Sequence, residues 1–287
     1  MNKVLELYGV STLEQDTDWE QIVALQQCPY LNHTCTKIRK SQPEITIGSC
    51  TVLYGQNDMR VMICPNRLLA HNQIFLDCIH LLTLHEPGNE LHIIPEVTIP
   101  GGVVDYFLLS AQNNRVIDFV AIELQTLDTT GTVWPARQQF LHSKSVIDEY
   151  DVTDKRNFGM NWKMTAKTIL VQLNHKIRTL ENLNKHLVLV LQNHLLAYMQ
   201  KEFAFDHIGQ ARLGDSAHFH SYNFVNNSST PLKLELTNRI STNADGISKS
   251  LDLRTDPNIK LDAIIDRLEA KMSESTLLQI SIMQGKT

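Results

Sequence analysis

The sequence predicts an α/β (α+β) fold with a mixed central β-sheet flanked by helices. Strand-like and helical runs alternate along the chain, the pattern of a sheet covered by helices. Residues 162–183 carry the clearest 3.6-residue period, with Trp162, Ala166, Ile169, Leu173, Ile177 and Leu180 on one stripe. Val116–Leu127 (VIDFVAIELQTL) is apolar on both faces up to Ala121, which marks a central strand buried on both sides.

Taken in order, residues 17–27 read as a short amphipathic helix leading into Cys28. Residues 28–65 are turn-rich, with Cys28-Pro29, Gly48-Ser49-Cys50 and Cys64-Pro65. Pro65 suits a first helical turn, Leu68–Leu84 continues that helix, and Pro87-Gly88 stops it. Cys78, flanked by Leu76, Ile79 and Leu82, reads as a core residue. Three strands follow at His92–Ile99, Val103–Ala111 and Val116–Leu127, with Asn113-Asn114 turning between the last two. Beyond the 162–183 helix, His186–Leu196 and Leu232–Ile240 read as strands and Leu261–Met272 as a late helix. The expected organisation is a region at 1–90 packed on a core at 91–287.

Composition bounds the function only loosely. The 287-residue chain is 43 % hydrophobic and 20 % charged, ordinary for a globular protein. Its net charge of −5 argues mildly against nucleic-acid binding, although the clustering of Lys and Arg matters more than their total. No run approaches the roughly 20 apolar residues of a membrane span. The N-terminus carries no signal-peptide pattern, and five cysteines is an odd number, which suits a reducing compartment. A cytoplasmic protein with no membrane partner is expected.

Glu96, Asp105 and Glu123 lie inside apolar strands, where an ionised carboxylate is costly unless something neutralises it. If Gln112 pairs with Val116 across a three-residue loop, Asp105 falls opposite Glu123, with Cβ atoms roughly 4.5–5.5 Å apart. A two-residue loop would instead pair Asp105 with Ile122. Facing carboxylates suggest a divalent cation between them, and oxygen ligands suit Mg²⁺. A structural acid pair neutralised by Arg or Lys is the plainer alternative. Asp118, five residues before Glu123, should point to the other face and is set aside.

The second cluster is Cys28, Cys35, Cys50 and Cys64, spaced C-x6-C-x14-C-x13-C. Four thiolates suit a closed tetrahedral structural site holding iron or zinc, with His33 or His71 as substitutes for one of them. Buried cysteines without a metal are the alternative. Lys37, Arg39 and Lys40 form a basic edge after Cys35, suited to phosphate or to solvent alike.

The ordered motifs CPYLNHTCTKIRKS, IGSCTV, ICPNRLL, IPEVTIPGGVVDYFL and IELQT resemble the NotI-type type II restriction endonucleases over roughly residues 25–140. The resemblance implies a PD-(D/E)xK-like core with a four-cysteine metal-binding N-terminal region, iron on Cys28, Cys35, Cys50 and Cys64, and an active site of Glu96, Asp105, Glu123 and Gln125. Gln125 stands where that superfamily usually has Lys. The implied activity is Mg²⁺-dependent, site-specific cleavage of double-stranded DNA by a homodimer. Lys163, Lys167 and Arg178 on the long helix and Arg137 after the active-site strand are the further candidates for phosphate contact. Two other readings compete: a repair or processing nuclease with a four-cysteine cluster, and a non-catalytic, metal-stabilised DNA-binding protein.

Overall fold

The computed structural model describes residues 2–148, 158–225, 232–251 and 265. Residues 1–252 cluster as one compact unit and 253–287 as another; the late helix expected at Leu261–Met272 lies outside the described residues apart from Ile265.

The N-terminal region is built from short pieces. Strands β1 (Val4–Leu7) and β2 (Val10–Ser11) precede helix α1 (Trp19–Leu25), which Asp18 caps by accepting from the Gln21 N–H. Two small ribbons follow, β3 (Gln27–Cys28) with β4 (His33–Thr34) and β5 (Ile38–Arg39) with β6 (Gln42–Thr46). Strands β7 (Ser49–Tyr54) and β8 (Met59–Met62) join β1 and β2 in a four-stranded sheet. The helix expected over Leu68–Leu84 is broken: a 3₁₀ stretch at Pro65–Asn72, α2 at Gln73–Leu76, and a second 3₁₀ turn at Ile79–Leu81. His71 and Asn72 both take positive φ there, which no continuous α-helix accommodates.

The central sheet has seven strands: β9 (Glu90–Ile99), β10 (Gly102–Gln112), β11 (Arg115–Gln125), β14 (His186–Gln192), β15 (Gly209–Gln210), β16 (Ala217–Phe224) and β17 (Leu234–Thr242). Their spatial order is β15-β17-β16-β14-β11-β10-β9. β9 to β11 form an antiparallel meander, while β11, β14 and β16 run parallel. Between β11 and β14 lie a small ribbon of β12 (Thr129–Thr130) with β13 (Gly159–Met160) and helices α3 (Trp134–Ser143) and α4 (Trp162–Asn182). Helix α5 (Asn193–Glu202) follows β14 directly, so the single strand expected over His186–Leu196 is a strand and then a helix. The short α6 (Ala244–Ser250) follows β17.

Both faces of the sheet are covered. On one, Ala121, Leu187, Leu189 and Phe219 pack in a single cluster with Ile169, Leu173 and Ile177 of α4 and with Leu195 and Met199 of α5. On the other, Val120, Ile122, Val188 and Tyr222 pack with Leu68, Phe75, Cys78 and Leu81. Alternation along β11 therefore sends Val120, Ile122 and Leu124 to the 65–82 segment, and Ala121 and Glu123 toward α4.

The narrower expectation, a PD-(D/E)xK-like core with a four-cysteine metal-binding region, is overturned. Among the described residues no group of three or more His, Cys, Asp or Glu is placed to hold a metal ion. Among them, too, no helix is long and apolar enough to cross a membrane.

β16 brings a row of imidazoles into the interior. His218 and His220 are buried, with His186 and His80 against them at ring separations of 5.1 and 5.9 Å. Burial lowers His218 to about 4 and His220 to about 3, so both are neutral in the fold and charge readily only once unfolded. Their stabilisation is complete above 6.5, the ordinary histidine value, and erodes as pH falls below it. Denaturant titrations at a series of pH values should show this acid limb. His220→Asn should flatten it, and an unchanged slope would assign acid sensitivity to other groups.

Candidate functional site

The turn between β10 and β11 is the two-residue Asn113-Asn114, both at positive φ, with Gln112 opposite Arg115. That register alone would put Asp105 across from Ile122. It does not, because the pairing shifts between Ser110↔Asp118 and Ala111↔Val116, leaving Ile117 as the extra residue of a β-bulge. Beyond the bulge Tyr106 pairs with Ile122, and the register carries Asp105 opposite Glu123. On the other side Tyr106 pairs with Pro95 and Val104 with Val97, which sets Glu96 opposite Asp105. The three acidic residues thus share one cross-strand row.

Glu123, the buried member of the row, is paired with an ammonium group. Lys176 of α4 is buried and places Nζ 2.5 Å from Glu123 Oε1 and 2.5 Å from the Val103 carbonyl oxygen. The β9–β10 turn permits this approach: a Cβ on Gly101 would lie 2.2 Å from the His175 carbonyl oxygen, so only glycine lets the turn touch the α4 backbone. Thr179 Oγ1 adds a 2.9 Å bond to the Pro100 carbonyl. Sequence reasoning placed Lys163, Lys167 and Arg178 on the polar side of α4 and missed Lys176. The signal was there: Lys176 lies three residues after Leu173 and four before Leu180, on the buried stripe.

Asp105 is half-buried and accepts a 2.8 Å bond from the Leu124 N–H; burial raises its carboxyl above the ordinary range. Glu123 is 3 % exposed, and burial lifts it to about 7, outweighing the Lys176 hydrogen bond that opposes the shift. Glu96 is exposed on the edge strand at φ 53°. Gln125 is half-buried, its Nε2 donating to the Thr126 carbonyl at 2.6 Å.

Two other buried acid–base pairs show what a purely structural carboxylate looks like. Glu6 accepts from Arg67 Nε at 2.8 Å and from the Thr51 hydroxyl. Asp118 accepts from the N–H groups of Leu84 and Phe119 and from Lys185 Nζ at 2.6 Å, and these bonds hold it below its ordinary range despite burial. Among the described residues Glu123 has one side-chain bonding partner, a second carboxylate facing it, and a pKa pushed upward.

The cysteines do not form the expected knot. Cys28, Cys50 and Cys64 are buried and Cys35 is half-buried. Cys50 and Cys64 hydrogen-bond each other, which lowers Cys64 to about 6 and raises Cys50, and Cys50 Sγ also reaches the Gly48 carbonyl at 3.5 Å. Since no metal-holding group forms among the described residues, the iron or zinc expected on Cys28, Cys35, Cys50 and Cys64 and the Mg²⁺ expected on Asp105 and Glu123 are both withdrawn. Thiol–thiol contact takes the place of the first, and Lys176 Nζ the place of the second.

Of the expected phosphate contacts, Lys163, Lys167 and Arg178 are exposed along α4, Lys40 is exposed, and Lys37 and Arg39 are half-buried. Arg137 is 2 % exposed and bonded to the Ile47 carbonyl, Gln138 Oε1 and Tyr8 Oη, so its side chain braces the interior.

No protein-family model matches this chain, and no curated protein matches it. The resemblance to NotI-type restriction endonucleases is overturned with the metal site on which it leaned.

The ion pair can be tested directly. Lys176→Met should cost about 3–5 kcal/mol above neutral pH, because it strands a buried carboxylate. Adding Glu123→Leu should recover most of that loss in a denaturant double-mutant cycle. A double-variant loss equal to the sum of the two single-variant losses would show that the pair is not coupled.

Proposed function

We propose that this chain cuts duplex DNA by hydrolysing a phosphodiester, with Glu123, Lys176 and Asp105 as its working groups. One observation carries the reading: Glu123 is held near neutrality between an ammonium group and a facing carboxylate. A carboxyl tuned to about 7 accepts and returns a proton at physiological pH, the property a general base needs. In the proposed step a water oxygen attacks phosphorus while Glu123 takes its proton. Lys176 offsets the charge gathering on the phosphoryl oxygens, and the bond from phosphorus to the leaving oxygen breaks as that oxygen takes a proton from solvent water to leave as the alcohol. Asp105 keeps Glu123 basic, while Gln125, two residues on along the same side of β11, orients water or phosphate. Exposed Lys163, Lys167 and Arg178 on the same helix as Lys176 supply positive charge for the flanking backbone.

Each chain carries one such site, so cutting both strands at one place calls for a symmetric pair of chains. A cytoplasmic location suits the free cysteines. The second reading, a DNA-binding protein without catalysis, is favoured by the closeness of the Glu123–Lys176 pair, which a purely structural role would also produce.

Incubating purified protein with plasmid of known sequence, in buffer supplied with divalent cations, and sequencing the ends decides between them. Discrete fragments are expected, with Glu123→Gln and Lys176→Met each slowing cutting about 10²–10⁴-fold. Progressive loss from the ends would point to a processing nuclease. Intact plasmid, or full activity in Glu123→Gln, would overturn the proposal.

A further inference from the structure

A groove of 630 Å³ runs between the β5–β6 hairpin and the segment before α3, lined among others by Lys37, Arg39, Lys40, Ser41, Thr132 and Trp134. Its volume falls within the roughly 300–1,000 Å³ typical of ligand sites. No Asp or Glu lines it, and among the described residues none of its three cations pairs with a carboxylate. In a chain of net charge −5, such a concentration of unpaired positive charge stands out as a receptor for an anion.

Two of the cations are also held in place. The Arg39 guanidinium lies 4.3 Å from the Trp134 ring centre and donates to Gln42 Oε1. The other guanidinium on that indole is Arg137, at 4.6 Å, buried and fixed by its own bonds. Lys37 Nζ donates to the Ile63 carbonyl at 3.1 Å. Arg39 is therefore pre-aimed, and little side-chain entropy remains to be lost on binding. Ser41 and Thr132 add hydroxyl donors, and Ile38, Ile47 and Pro135 give an apolar wall. A lining that combines charge, hydroxyls and apolar surface suits alternating phosphate and sugar.

We infer that this groove grips the sugar–phosphate backbone of the DNA whose cleavage is proposed above, a deepening that rests on that reading. Chain connectivity keeps one rim of the groove near the proposed site: Gly131 follows Gln125 by six residues, a span of at most ~21 Å for extended chain.

The test is fluorescence anisotropy of a labelled 30-base-pair duplex, with the full chain, over a series of salt concentrations. Removing two phosphate contacts by Lys37→Ala with Lys40→Ala should make the log–log salt slope shallower by about 1.8, at roughly 0.9 per contact. Lys40→Glu, at an exposed position that folding does not depend on, should weaken binding in the same direction. Lys201→Ala, at an exposed lysine of α5 outside the groove, should leave the slope alone, and a parent chain that shows this salt slope yet leaves plasmid intact keeps the groove and loses the hydrolase. An unchanged slope in both groove variants, no duplex binding by the parent chain, or preferential binding of an acidic peptide or free phosphate would each overturn the inference.

Discussion

The buried contact between Glu123 and Lys176 is the constraint on which the rest of this structure turns. Glu123 sits in the middle of the sheet, on a strand covered on both faces, where a lone carboxylate is very costly. Lys176 offsets that cost from the facing helix and bonds the Val103 carbonyl of the neighbouring strand as well. One ammonium therefore ties β10, β11 and α4 together. The glycine turn at Gly101 follows from the same requirement, because a side chain there would push the turn off the helix backbone.

Hydrogen-bond saturation separates this pair from its structural cousins. Asp118 and Glu6 are each bonded by several donors, and at Asp118 these bonds hold the carboxyl below its ordinary range despite burial. Glu123 is under-supplied with donors and faces Asp105, so both its protonation states lie within reach near neutral pH. This asymmetry makes Glu123, among the buried acids, the candidate for chemistry. In the basic groove beyond β11, Arg137 and Arg39 both lie against the Trp134 ring, the first buried and the second half-buried.

Much of this could be read from the chain itself, and the failures have physical causes. Periodicity located the meander and α4 to within two or three residues, because those segments bury clear faces. Uniform apolarity hid the strand-to-helix change at Gln192, where β14 and α5 are both buried. The broken 65–82 helix could not be seen because His71 and Asn72 adopt positive φ through tertiary context. The acidic row reads correctly only with the Ile117 bulge, which loop-length counting has no means of supplying. The assumption of a cation rather than an ammonium came from grouping residues by type. Lys176 was passed over, although its spacing from Leu173 and Leu180 put it on the buried stripe. Spacing likewise grouped four cysteines as ligands, although Cys50 and Cys64 satisfy each other.

The most direct measurement is the ionisation of Glu123 itself, followed through the side-chain carboxyl carbon shift by NMR in the wild-type chain and in Lys176→Met. A midpoint near 7 in the parent, moving higher once the ammonium is removed, is what a buried, singly paired carboxylate requires. A midpoint at the ordinary glutamate value of 4.5, indifferent to Lys176, would contradict it.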